Sequence, residues 1–166
     1  YGAFGVIESA GRLYISLAHE QSILAIDAAT LEEITRAPTA HQPRGLALKG
    51  NQLYVVHLID ASVRVFDAAT LSVLGSISIG LQAGLAESVT LDPNKARAYV
   101  PHQRQHITNM ARLFDSTIFP IVSVLDTDRQ RPIRREALAL DSIDTPVGMP
   151  IAVVLSKDGT RLYVAN

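Results

Sequence analysis

Five histidines are the residues of this 166-residue chain whose chemistry is most versatile. Imidazole is the commonest metal ligand in proteins and titrates near neutral pH, so several histidines brought together could hold copper, zinc or iron, or relay protons. The candidate metal ligands are His19, His41, His57, His102 and His106. The competing interpretation is structural: His19, His57 and His102 are then rim residues that hydrogen-bond to neighbouring parts of the fold.

The elements that carry these histidines repeat along the chain. Each copy has a Leu-Tyr or Ala-Tyr pair followed by an apolar residue, and in the first two copies an aspartate follows the tyrosine after 13 residues. Tyr14 and Tyr54 lie 40 residues apart, as do Asp27 and Asp67, so both anchors keep one register. The third copy contains Tyr99 and Asp126, and a fourth opens with Tyr163. Self-similarity at this period indicates a repeat architecture.

Within each repeat the hydrophobic pattern is that of β-strands. Apolar and polar residues alternate, as in Val63, Arg64 and Val65, and turn residues bound each run. Asp27 and Asp67 each precede Ala-Ala-Thr, where an Asp side chain can accept hydrogen bonds from the following backbone N–H groups and close a tight turn. A unit of this length with four short strands matches a propeller blade. The sequence therefore predicts an all-β fold, a β-propeller of four-stranded antiparallel blades, with about three and a half blades present.

The predicted blades span residues 1–38, 39–80, 84–140 and 146–166, and the last blade is incomplete. The strands predicted for the second blade are Gly45–Lys49, Gln52–His57, Ser62–Asp67 and Val73–Ile79. An incomplete ring exposes unpaired strand edges and the apolar face of its last blade. The remainder of a propeller ring is therefore an expected partner of these residues.

The end of the chain resembles a known repeat family. Leu162-Tyr163-Val164-Ala165-Asn166 is similar to the Tyr-Val-Thr-Asn signature of YVTN-repeat β-propellers, and the segment 157–161 resembles the hairpin that precedes it. His57 and His102 stand where the signature has Asn, so a role of that Asn is not carried over. The resemblance implies a seven-bladed ring, about half of which lies outside these residues, and a periplasmic or extracellular location.

A second, shorter resemblance covers residues 114–126. Their sequence FDSTIFPIVSVLD is similar to segments of YVTN-type propellers fused to c-type haem peroxidase-like domains. The chain has no cysteine, which excludes a C-x-x-C-H haem attachment, disulfides and thiolate metal sites within it. This resemblance implies that any haem is held by another domain or a partner.

Propeller geometry predicts that all five histidines lie at one end of the channel, where the loops after strand two and between blades meet. The spacing from Tyr99 to Asp126 is 27 residues, so the third blade contains an insertion within His102–Pro120. Long loops on a rigid scaffold often carry function. The predicted ligand-binding residues are His102, Arg104, His106, Asn109 and Arg112. The alternative is that this loop only covers the neighbouring blade.

Charge and hydropathy narrow the class of partner. Lys and Arg number 15 against 16 for Asp and Glu, so no net field favours nucleic acid, and no apolar run is long enough to predict a membrane span. Four arginines after Asp126 could grip an acidic partner, but interspersed Asp128 and Glu136 favour a solvated blade edge. These arginines are Arg129, Arg131, Arg134 and Arg135.

These observations favour a binding scaffold that holds a protein or a small-molecule ligand at the channel face, with no cofactor within these residues. The alternative is the propeller portion of an oxidoreductase, with copper at the histidines or a c-type haem domain elsewhere. A hydrolase or lyase that uses Glu87 at the channel is a weaker third alternative. Whether the protein is an enzyme is left open by the sequence.

Overall fold

The computed structural model describes residues 2–106, 117–140 and 148–166, and these fold into four antiparallel sheets. The first two sheets are four-stranded meanders in which sequential strands pair. The first contains β1 (Ala3–Ser9), β2 (Arg12–Leu17), β3 (Ser22–Asp27) and β4 (Glu33–Pro38). The second contains β5 (Pro43–Lys49), β6 (Gln52–His57), β7 (Val63–Asp67) and β8 (Val73–Ile77).

The third sheet has the same four rows, but its first and last rows are interrupted. Its strands are β9 (Ala83–Gly84), β10 (Thr90–Leu91), β11 (Arg97–Gln105), β12 (Ile118–Asp126), β13 (Arg131–Pro132) and β14 (Leu138–Ala139). Both β9 and β10 pair with β11, while β13 and β14 pair with β12 and are separated by a short 3-10 turn at Arg134–Glu136. The fourth sheet is the hairpin of β15 (Ala152–Leu155) and β16 (Leu162–Ala165).

The predicted aspartate turns connect strands three and four. Asp27 Oδ1 accepts the N–H groups of Ala29 and Thr30 at 2.8 and 2.9 Å, and Asp67 does the same at 3.0 and 2.9 Å with Ala69 and Thr70. These hydrogen bonds lower the pKa of both carboxyl groups, because each N–H favours the ionised form. The aspartates are therefore structural, as the sequence predicts.

The hydrophobic core lies between neighbouring sheets. Tyr14 of the first sheet packs in one cluster with Leu53, Val55 and Phe66 of the second. Tyr54 and Val65 of the second sheet pack in another cluster with Val100 of the third. Each sheet can bury its faces only by stacking on the next, as in repeat architectures.

Contacts at the first strands join successive sheets. A Cβ atom on Gly5 would lie 2.7 Å from the Arg44 carbonyl oxygen, and one on Gly45 would lie 2.7 Å from the Glu87 carbonyl oxygen. At the next junction, Thr90 Oγ1 donates a hydrogen bond to the Val153 carbonyl oxygen at 2.6 Å. Inner strands in successive contact are the arrangement of a propeller. The fold is all-β with propeller-type blades, in agreement with the prediction, and no described helix is long and apolar enough to cross a membrane.

Candidate functional site

The histidines are distributed along the end of the sheets where strand two finishes, which we call the histidine end. His19 lies in the turn between β2 and β3, His41 in the connection between β4 and β5, and His57 is the last residue of β6. His106 directly follows β11. His102 differs from the loop position expected from the sequence, because it lies within β11.

The position of His102 follows from how the insertion folds. Strands β11 and β12 pair over nine positions, from Arg97 opposite Asp126 to Gln105 opposite Ile118. The corresponding pair in the second sheet, β6 and β7, pairs over five positions. Part of the inserted sequence therefore extends the hairpin, which carries the strand past His102 to Gln105.

His57 is a buried histidine whose two ring nitrogens both have protein partners. Its Nδ1 lies 3.2 Å from the Ser62 carbonyl oxygen, and its Nε2 lies 2.8 Å from the Thr39 hydroxyl. A carbonyl can only accept, so Nδ1–H donates to Ser62 and Nε2 accepts from Thr39. Burial lowers the pKa of His57, because it disfavours the charged ring.

His102 repeats this arrangement in the third sheet. Its Nδ1–H donates to the Gln103 carbonyl oxygen at 3.0 Å, and its Nε2 accepts from the Ser123 hydroxyl at 2.8 Å. Burial lowers the pKa of His102 as well. In both sheets a metal ion at Nε2 would have to displace a hydroxyl group, so this geometry favours the structural interpretation of these two rings.

The other three histidines, His19, His41 and His106, are exposed. Among residues 2–106, 117–140 and 148–166, no group of three or more His, Asp or Glu side chains is arranged to hold a metal ion. A metal site at the five histidines stays a prediction.

The predicted ligand-binding residues fall in two groups. His102, Arg104 and His106 lie on or directly after β11, whereas Asn109 and Arg112 lie outside the described residues. Arg104 is exposed, and its guanidinium carbon lies 5.3 Å from the centre of the Phe119 ring on the facing strand. This cation–π contact holds the Arg104 side chain along the extended hairpin.

A cavity of about 500 Å³ opens beside this hairpin. His102 and Arg104 of β11 and Ile121 and Ser123 of β12 line it, consistent with alternation along two paired strands. The connection between the second and third sheets forms another wall, at 79–83. The outer wall is formed where the fourth row of the third sheet is interrupted, by Pro132, Ile133, Arg134 and Ala137.

The charge of this cavity is positive. Its lining includes Arg104 and Arg134 and no acidic residue. The carboxylates near Arg134 in sequence have other partners: Glu136 pairs with Arg97 at 3.1 Å, and Asp126 pairs with Arg129 at 3.0 Å. The two lining arginines form no ion pair with any other described residue.

Sequence reasoning identified two lining residues, His102 and Arg104, and missed the others. Arg134 was assigned to a solvated edge together with its neighbouring arginines. The available signal was Pro132, which has no N–H group and so interrupts a strand ladder. That signal does not reveal which side chains meet across the resulting gap.

Comparison with known proteins identifies the fold alone. No family model and no curated protein matches the chain. A chain in a solved structure, described as "Crystal Structure of Mitotic Checkpoint Complex", matches with a TM-score of 0.68 at 14% sequence identity. The match covers 98% of this chain and 45% of that one, so this chain spans less than half the length of its structural neighbour.

Proposed function

We propose that this chain is part of an interaction scaffold, a β-propeller whose partner binds at the histidine end and the third sheet. The observation that carries this proposal is the β11–β12 hairpin, which has nine residue pairs where its counterpart in the second sheet has five. An extended hairpin with a cavity at its side provides a shaped surface on a rigid base. A protein partner agrees with the fold, because the structural neighbour comes from a protein complex.

The YVTN type and the periplasmic or extracellular location belong to this proposal. They are supported by the residues Tyr163-Val164-Ala165-Asn166 and by the aspartate turns that recur in the preceding repeats. The oxidoreductase alternative stays a prediction, because no observation on the described residues favours copper or haem.

Site-specific photo-crosslinking tests the proposed surface. The photoreactive residue p-benzoylphenylalanine would replace His41 or His106, both exposed at the histidine end, in cells that make the protein. Matched controls replace Glu32 or Asn94, which are exposed in turns at the opposite end of the sheets. We expect crosslinked adducts from His41 and His106 and none from Glu32 and Asn94. Adducts at the opposite end alone, or equally at both ends, would contradict the proposal.

A further inference from the structure

We propose that the cavity beside the β11–β12 hairpin binds a small organic carboxylate with an apolar body. This inference deepens the proposed function, because it names a ligand class for the same surface. At about 500 Å³ the cavity falls within the range of sites that enclose small organic molecules, roughly 300–1,000 Å³. A single inorganic anion would leave most of this volume empty.

The walls of the cavity select for an apolar body. Ile121 and Val124 of β12 are buried and form the base. Ile79 and Ile133 contribute apolar side chains from the connection and from the interrupted outer row. Burying ligand carbon against these side chains removes apolar surface from water, which is favourable at roughly 25 cal/mol per Å².

The polar groups select for a negative charge. Arg104 and Arg134 approach the cavity from two different elements, β11 and the 3-10 turn. A guanidinium presents its N–H donors in a planar fork that matches a carboxylate. The absence of acidic residues from the lining leaves both charges available to a ligand.

His102 and Ser123 contribute shape and little charge recognition. The Ser123 hydroxyl donates to His102 Nε2, so its hydrogen is not available to a ligand anion. Recognition of the carboxylate therefore depends on the two arginines, and an uncharged analogue of the same shape is expected to bind more weakly.

Fluorine NMR titration with para-trifluoromethylbenzoate tests this proposal on the intact protein. The control ligand is para-trifluoromethylbenzamide, which has the same apolar body and no charge. We expect the benzoate to bind with a dissociation constant on the order of 1 mM or tighter, and the benzamide to bind at least about threefold more weakly. Equal affinity for the two compounds, or no binding of the benzoate at about 10 mM, overturns the proposal.

Variants locate the binding. Arg104→Gln and Arg134→Gln are each expected to weaken benzoate binding at least about threefold, since each removes one guanidinium partner. Arg135→Gln is the matched control, because Arg135 is an exposed neighbour of Arg134 that does not line the cavity. Ala137→Phe places a ring at the exposed rim and is expected to abolish binding. Equal weakening by Arg135→Gln, or full binding by Ala137→Phe, overturns the assignment.

The two proposals fail separately. If His41 and His106 crosslink to a partner but the benzoate does not bind, the carboxylate site is wrong and the scaffold stands. If the benzoate binds and crosslinks come from Glu32 and Asn94 alone, the scaffold surface is wrong and the carboxylate site stands.

Discussion

The second and third sheets share a register but differ at their outer rows. Both have a tyrosine and then a buried histidine in strand two, Tyr54 with His57 and Tyr99 with His102. In the second sheet, strand four is the continuous β8, whereas in the third sheet a 3-10 turn separates β13 from β14. Conserved chemistry in the central strands therefore coexists with a rebuilt edge.

This difference follows from how strands are constrained. A central strand such as β6 or β11 pairs on both sides, so its backbone groups and alternating side chains are fixed by two neighbours. An outer strand pairs on one side, which allows a proline and a turn to interrupt it at a lower cost. The cavity of the third sheet lies at that permissive edge.

The largest expected effect is at the shared tyrosine. Tyr54 has no exposed surface and packs between the second and third sheets, so Tyr54→Ala is expected to lower the free energy of unfolding by about 3–5 kcal/mol. Tyr99 is half-buried, and Tyr99→Ala is expected to cost less. Urea denaturation measures both, and equal losses would show that the two sheets are not packed differently at this position.

The junction between the two sheets gives the next effect. A Cβ atom on Gly45 would lie 2.7 Å from Glu87 O and from Ser88 Cα, so Gly45→Ala is expected to cost about 1–3 kcal/mol through overpacking. Gly148→Ala is the control, because its Cβ would meet nothing within 4 Å. Urea midpoints of the two variants that differ by less than experimental error would contradict the close approach of the strands.

The paired histidines predict a shared pH dependence. The pKa of His57 and of His102 is lowered by burial from 6.5, so the unfolded chain binds protons more readily than the folded one below that pH. Stability from these groups is present above about pH 6.5 and is lost as the pH falls through the lower folded pKa. We expect the urea midpoint to fall between pH 7 and 5, and the double variant His57→Gln with His102→Gln to reduce that fall. An unchanged slope in the variant would show that other groups cause it.

The smallest expected effect is at the aspartate turns. Asp67→Ala removes an acceptor from the N–H groups of Ala69 and Thr70, so a lower melting temperature is expected, while Asp67→Asn retains a side-chain oxygen and is expected to lower it less. Asp126→Ala in the third sheet also removes the ion-pair partner of Arg129. Thermal melts compare these variants, and a larger loss for Asn than for Ala would contradict the turn mechanism.

Much of the fold could be predicted because its signals are local. The tyrosine and aspartate anchors at 40-residue spacing, and the alternating strands between them, indicate sheets and turns without knowledge of distant contacts. The pattern could not show that the insertion after His102 begins as strand, because extended residues and loop residues there have similar composition. It also could not distinguish a metal-binding His57 from one hydrogen-bonded to Thr39, since that partner lies 18 residues away.

The sequence by itself determined the repeat, its strand pattern and its aspartate turns, because each depends on residues within a few positions of one another. Only the tertiary structure decided that Arg104 and Arg134 line one cavity with Ile79 and Ile121. Those side chains come from a connection, two central strands and an interrupted edge. Their meeting depends on how sheets stack and where an edge strand breaks, which are interactions between distant segments that local pattern does not encode.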